Sequence, residues 1–211
     1  MEWIIQLPIL FFSIMFHEVS HGLVALRNGD DTAKLEGRLN FNPVSHIDPV
    51  GTLILPLACL LAGIPMIGWA KPVPVNPNLL GNDRWALVRV ALIGPVSNLA
   101  LSLACALLIK VLISLPPFMP GLMTAMVEAL LFGVVCNLFL AFFNLIPIHP
   151  LDGSKVLSGV LPLRHRLSYE RHAPYGFMII LAMVYIGALR PLVSAPSNLV
   201  LGLFSRLGLL W

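Results

Sequence analysis

Apolar residues fall in long blocks along the chain, separated by short polar or proline-rich stretches. A helix needs about 20 apolar residues to cross a hydrocarbon core of about 30 Å. Blocks of that size predict helices over about 3–26, 50–69, 85–113, 122–145 and 175–194. The tail 196–211 offers either a sixth span or a helix lying at the interface. The period changes after the first block: Ala33, Leu35, Gly37, Leu39 and Phe41 alternate with Lys34, Glu36, Arg38, Asn40 and Asn42. A period of two predicts a strand or hairpin over about 32–42 with one buried face. The expected fold is therefore an all-α polytopic membrane protein. It is a bundle of five to six transmembrane helices with a short membrane-associated β-hairpin after the first helix, in one domain over 1–211.

Composition sharpens this picture. Of 211 residues, 58% are hydrophobic and only 11% charged, which places the chain outside the soluble globular range and in a cell membrane as a multi-pass protein. A net charge of +3 without a basic stripe excludes nucleic acid as a partner. The opening MEWIIQLPILFF has no basic n-region, which predicts a retained helix in place of a signal peptide. Cys59, Cys105 and Cys136 all lie in apolar blocks and read as buried free thiols. Prolines 72, 74 and 77 make 71–84 extended, and the basic stretch 161–174 reads as a juxtamembrane loop.

Against this apolar background the polar residues stand out. His17, Glu18 and His21 interrupt the first block, where ionisable groups are costly and usually functional. On a helix, His17 and His21 project from one face and can bind one metal ion. Glu18 lies beside them, able to reach a metal-bound water. This is the HExxH arrangement of zinc peptidases, which implies one Zn2+ per chain.

A third ligand must come from elsewhere. Asp152 lies where the fourth helix breaks at NLIPIHPLDGSKVL, a break tolerated at membrane depth only where protein or a water-lined cavity satisfies the backbone. It is the natural candidate, an Asp-Gly turn being its other explanation. His46 is a further possible ligand, although a polar loop histidine is more often a turn or cap residue. Asn137 and Asn144 are seven apart, so they share a helix face that points into the bundle. Gly94-Pro95-Val96-Ser97-Asn98 reads as an architectural bend, with Asn98 free to hydrogen-bond to another helix.

With HEVSH, GPVSN and NLIPIHPLDG in this order, the chain resembles the site-2 protease family of intramembrane zinc metalloproteases, in its small form without PDZ or CBS domains. The resemblance covers about residues 10–160. It implies that His17, His21 and Asp152 hold the zinc, that Glu18 is the general base, and that Asn144 lines the site and donates to the substrate or the oxyanion. His149 departs from the family pattern, which commonly has proline there, and is either an outer-sphere partner or an alternative ligand. The implied substrate is a single-pass transmembrane protein within the lipid bilayer, cut in regulated intramembrane proteolysis. The competing reading is a non-catalytic membrane metal carrier or regulator using the same ligands, against which Glu18 argues because transport needs no base.

Overall fold

The structure is a computed structural model that describes residues 3–54, 57–58, 61, 70–81, 84–116 and 119–210. Its frame is three long helices: α1 (Trp3–Arg27), α3 (Arg84–Ser114) and α4 (Pro120–Asn144). Between the first two lies one turn of helix, α2 (Thr32–Leu35). After α4 come the short helices α5 (Asp152–Val160) and α6 (Leu163–Glu170), then α7 (Gly176–Tyr185) and α8 (Leu189–Arg206).

The apolar run that builds α1 ends where Gly29 takes φ +101°. There the Asp30 N–H reaches the Ala25 carbonyl and the Gly29 N–H the Leu26 carbonyl, which satisfies the last turn. At about 1.5 Å per residue, each long helix exceeds the hydrocarbon thickness. Among the described residues three helices, Ile5–Arg27, Trp85–Ser114 and Pro120–Asn144, are long and apolar enough to cross a membrane, which makes this an integral membrane protein. A fourth span is available if the pair Leu163–Tyr185 and Leu189–Arg206 counts as one, bent by 77°.

α1, α3 and α4 pack on one another through small and polar contacts suited to an interior with no water to exclude. Gly133 of α4 faces Cys105 of α3 so closely that an added Cβ would lie 2.9 Å from its Sγ. The Ser102 hydroxyl donates to the Val134 carbonyl at 3.1 Å. Ala106, Ile109, Val134 and Leu138 continue this seam, which Phe204 of α8 closes. A second apolar cluster of Ile146, Leu151, Ile180 and Val193 binds the turn after α4 to α7 and α8. That turn fixes where α5 begins.

Several expectations are corrected. No strand occurs among the described residues, and 32–42 is the helical turn α2 followed by a loop. The alternation fails as a burial pattern: Leu35 is 77% exposed while Arg38 is buried. Arg38 is drawn inward because its Nη2 donates to the Lys71 and Pro72 carbonyls at 2.9 and 3.2 Å. Among the described residues three or four spans are found, and most of the expected 50–69 helix lies outside them. Residues Pro49–Ile54 form a π-helical turn. The expected 175–194 helix breaks at Gly187, φ +73°, and the tail belongs to α8. The expected basic loop 161–174 is largely the helix α6, braced by Arg166 and Glu170 at 2.7 Å. Residues 70–76 are free of helix as the prolines require, but the extended stretch expected to 84 gives way to a 3-10 turn at Pro77–Leu79, and α3 begins at Arg84. Cys105 and Cys136 are free thiols, and Cys59 lies outside the described residues.

Asp30 fastens the extended segment to the end of α1. Fully buried, its carboxylate accepts from the Thr32 N–H, the Thr32 hydroxyl and the Asn76 N–H at 3.1, 2.5 and 2.6 Å. Burial raises its pKa, but these donors outweigh it and hold the group below the usual carboxylate value. A depressed native pKa means the stabilisation is present above about pH 4 and is lost as pH falls through the native value. Asp30→Asn is expected to lower stability by about 1–3 kcal/mol at pH 7. Thermal melts in detergent from pH 7 to 3 are expected to show a smaller acid-induced drop in the variant than in the unsubstituted protein.

Candidate metal centre

His17 and His21 stand one turn apart on the inner face of α1, 5% exposed each, with ring centroids 4.6 Å apart. Asp152, the first residue of α5, is carried to them by the turn 145–151 and is 4% exposed. Gly153 beside it has no room for a side chain: a Cβ there would overlap the Leu145 carbonyl and lie 2.6 Å from the Ile146 oxygen. His17 Nε2, His21 Nε2 and Asp152 Oδ2 form a triangle with every side 3.0 Å. Lys155 Nζ binds the other carboxylate oxygen, Oδ1, at 3.0 Å.

The far sides of both rings decide what these atoms are. His21 Nδ1 lies 2.6 Å from the Val90 carbonyl, and His17 Nδ1 lies 2.6 Å from Asn98 Oδ1. Both neighbours can only accept, so both Nδ1 atoms carry protons and both Nε2 atoms present lone pairs. Three electron-rich atoms then converge at 3.0 Å in a buried place, which demands a positive charge between them. A single proton would serve one contact and leave the others repulsive. A divalent cation serves all three, and two imidazoles with one carboxylate are donors that zinc accepts. Tetrahedral bonds of about 2.0–2.1 Å give ligand separations of about 3.3 Å, close to the triangle observed. The residues therefore fit the metal.

Glu18 is outside the ligand set. Its Oε2 accepts from the Val73 N–H at 2.8 Å, which ties the 70–77 segment to α1 beside the metal triangle. Both lie on a cavity of about 680 Å3 whose wall also includes Asn144, His149 and Asp152. Asn144 Nδ2 donates to the Leu140 carbonyl at 2.9 Å. His149 Nδ1 meets the Ser154 hydroxyl at 3.2 Å, and its Nε2 is buried without a partner. His46 is elsewhere, buried in its loop with Nε2 bonded to the Asn40 carbonyl at 2.9 Å. Among the described residues, only His17, His21 and Asp152 group their ligand atoms closely enough to hold a metal.

The middle helix contributes more than its sequence suggested. Gly94 faces the two imidazoles, and a Cβ there would overlap His21 Nε2 and lie 2.5 and 2.6 Å from His17 Cε1 and Nε2. Val90, one turn before Gly94 on α3, offers its carbonyl to His21 Nδ1–H at 2.6 Å. Asn98 was legible as an interhelical donor, but its acceptor oxygen for His17 was not. Nothing in the spacing alone shows which atom faces which helix.

A buried pair of imidazoles and a carboxylate beside an unligated glutamate, in an apolar helical bundle, defines a membrane-embedded metallopeptidase. The chain belongs to peptidase family M50, whose profile matches residues 6–187. It is 35% identical over 203 residues to a Bacillus subtilis protein provisionally named zinc metalloprotease YwhC, covering 94% of this chain and 90% of that one. It is also 28% identical over 182 residues to a Mycolicibacterium smegmatis protein provisionally named zinc metalloprotease Rip2, covering 84% and 65%. No solved structure matches the chain significantly. The protein is a zinc metalloprotease of site-2 protease type, which displaces the non-catalytic carrier reading.

Gly94→Ala is expected to abolish stoichiometric zinc binding, because the added methyl occupies the space of the two ligand rings. Metal analysis of the purified variant checks this, with a melting curve showing that the fold persists.

Proposed function

We propose that this protein is an intramembrane protease that hydrolyses peptide bonds within or near transmembrane segments of single-pass membrane proteins, as a step of regulated intramembrane proteolysis. The observation that carries the reading is the position of the metal triangle. Two of its members, His17 and His21, lie in the 23-residue apolar stretch Ile5–Arg27, and the triangle faces a cavity lined from α1, the 70–77 segment, α3 and the residues that follow α4. His17, His21 and Asp152 are the zinc ligands in this reading. When bound, zinc acidifies a water molecule and polarises the scissile carbonyl.

The chain's own residues do the rest. Glu18 accepts the proton of the attacking water on its carboxylate and returns it to the leaving amine. Asn144, on the cavity wall, donates its amide to the substrate carbonyl as negative charge develops there. A helical substrate has no free carbonyl, so it must be held extended. The segment 70–76 borders the site without helix, its prolines 72 and 74 barring one, and can meet an extended substrate. Arg38 and Asp30 hold its Lys71, Pro72 and Asn76 backbone groups on the side of the fold. Val73 and Val75 line the cavity, and with the Val73 N–H taken by Glu18 a substrate strand would pair there through the carbonyls of the segment.

Cleavage of a single-pass transmembrane substrate by the purified protein in detergent tests this reading. Glu18→Gln is expected to retain zinc and lose about 10²–10⁴-fold in kcat. Equal cleavage by both proteins would remove Glu18 from its role. Cleavage of soluble peptides with none of the transmembrane substrate would reject the intramembrane reading.

A further inference from the structure

Behind the metal triangle runs a buried chain of hydrogen bonds that the peptidase chemistry does not itself use. His17 Nδ1–H donates to Asn98 Oδ1 at 2.6 Å, and Asn98 Nδ2 donates to Asn137 Oδ1 at 2.8 Å. Asn137 Nδ2 donates in turn to the Gly133 carbonyl and the Ser13 hydroxyl, both at 2.9 Å. Asn98, Asn137 and Ser13 are each no more than 1% exposed, so no water can substitute for a missing partner. We propose that Asn137 is a positioning residue for zinc binding: by fixing which way the Asn98 carboxamide faces, it leaves His17 Nε2 free to ligate.

The sense of the chain matters because an asparagine can face either way. If Asn98 turned over, its NH2 would meet His17 Nδ1. That nitrogen would then have to accept, and the ring's proton would sit on Nε2, the atom that faces the metal. A protonated Nε2 cannot ligate. Turning over would also set Asn98 Oδ1 against Asn137 Oδ1 and the Ser13 carbonyl, now 3.3 Å from Nδ2. The Ser13 contact is long, so the discriminating contact is Asn137. Asn137 cannot turn over itself, because its NH2 serves the Gly133 carbonyl, a helix oxygen that only accepts. The tautomer of a ligand on α1 is thus set from α4, through α3.

The proposal rests on His17, His21 and Asp152 being the zinc ligands, which metal analysis of the unsubstituted protein checks separately. Absence of zinc there would reject that assignment before any variant is made. With zinc present, its affinity is measured by chelator competition on detergent-purified Asn137→Leu, Asn98→Asp and the double variant. Each is first checked for folding by size exclusion. Asn137→Leu is expected to weaken zinc binding by about 10–100-fold.

A carboxylate at position 98 offers His17 an oxygen whichever way it turns, so it needs no orienting amide. Asn98→Asp is therefore expected to restore affinity in the Asn137→Leu background, making the double variant bind zinc more tightly than Asn137→Leu alone. A double variant as weak as Asn137→Leu, or weaker, would mark Asn137 as a packing residue and overturn the proposal. Unchanged affinity in Asn137→Leu would overturn it equally. Should Asn137→Leu fail to fold, Asn137→Ser runs the same comparison without added bulk.

Discussion

The structure depends on holding three lone pairs against one another. His17 Nε2, His21 Nε2 and Asp152 Oδ2 meet at 3.0 Å, in a bundle where each residue is no more than 5% exposed. Such an arrangement is stable only around a positive charge, and only if each imidazole keeps its proton on the outer nitrogen. The Val90 carbonyl and Asn98 enforce that outer placement. Much of the surrounding architecture follows from the need to bring those acceptors close.

Close approach is the second constraint. α1 can present two histidines to α3 only because Gly94 leaves a hollow for their rings. It can seat the 30–40 and 70–77 segments against its other side because Gly22 does the same for Leu39, Val73 and Ala33. Gly133 lets α4 meet α3 at Cys105, which brings Asn137 within reach of Asn98. These glycines replace burial of large side chains as the means of specifying helix contacts in lipid. The loop segments are then tied on by charge-assisted bonds: Arg38 to two carbonyls, Asp30 to Asn76, and Glu18 to Val73.

The long helices and the shared face of His17 and His21 were legible because both rest on local rules. Twenty apolar residues make a span in any context, and two histidines four apart share a helix face whatever surrounds them. Asp152 needed more: a break after α4, read from Pro147, Pro150 and Gly153, together with the family resemblance. The hairpin reading failed because alternation assumes that polar side chains face out, whereas Arg38 turns in to bind carbonyls 33 residues away in sequence. Gly94 and Asn137 were visible as a small residue and an interior amide. Their partners lie on other helices, and pairing across helices has no periodicity to read.

The most direct test of the account is the zinc-edge X-ray absorption spectrum of the purified protein. The account predicts two imidazole nitrogens and a carboxylate oxygen bound at about 2.0–2.2 Å, with no sulfur. The Asp152→Ala variant is predicted to lose the carboxylate contribution while any zinc that remains keeps both imidazoles. A spectrum with one imidazole, with a sulfur ligand, or unchanged by loss of Asp152 would contradict the three-residue centre on which the rest is built.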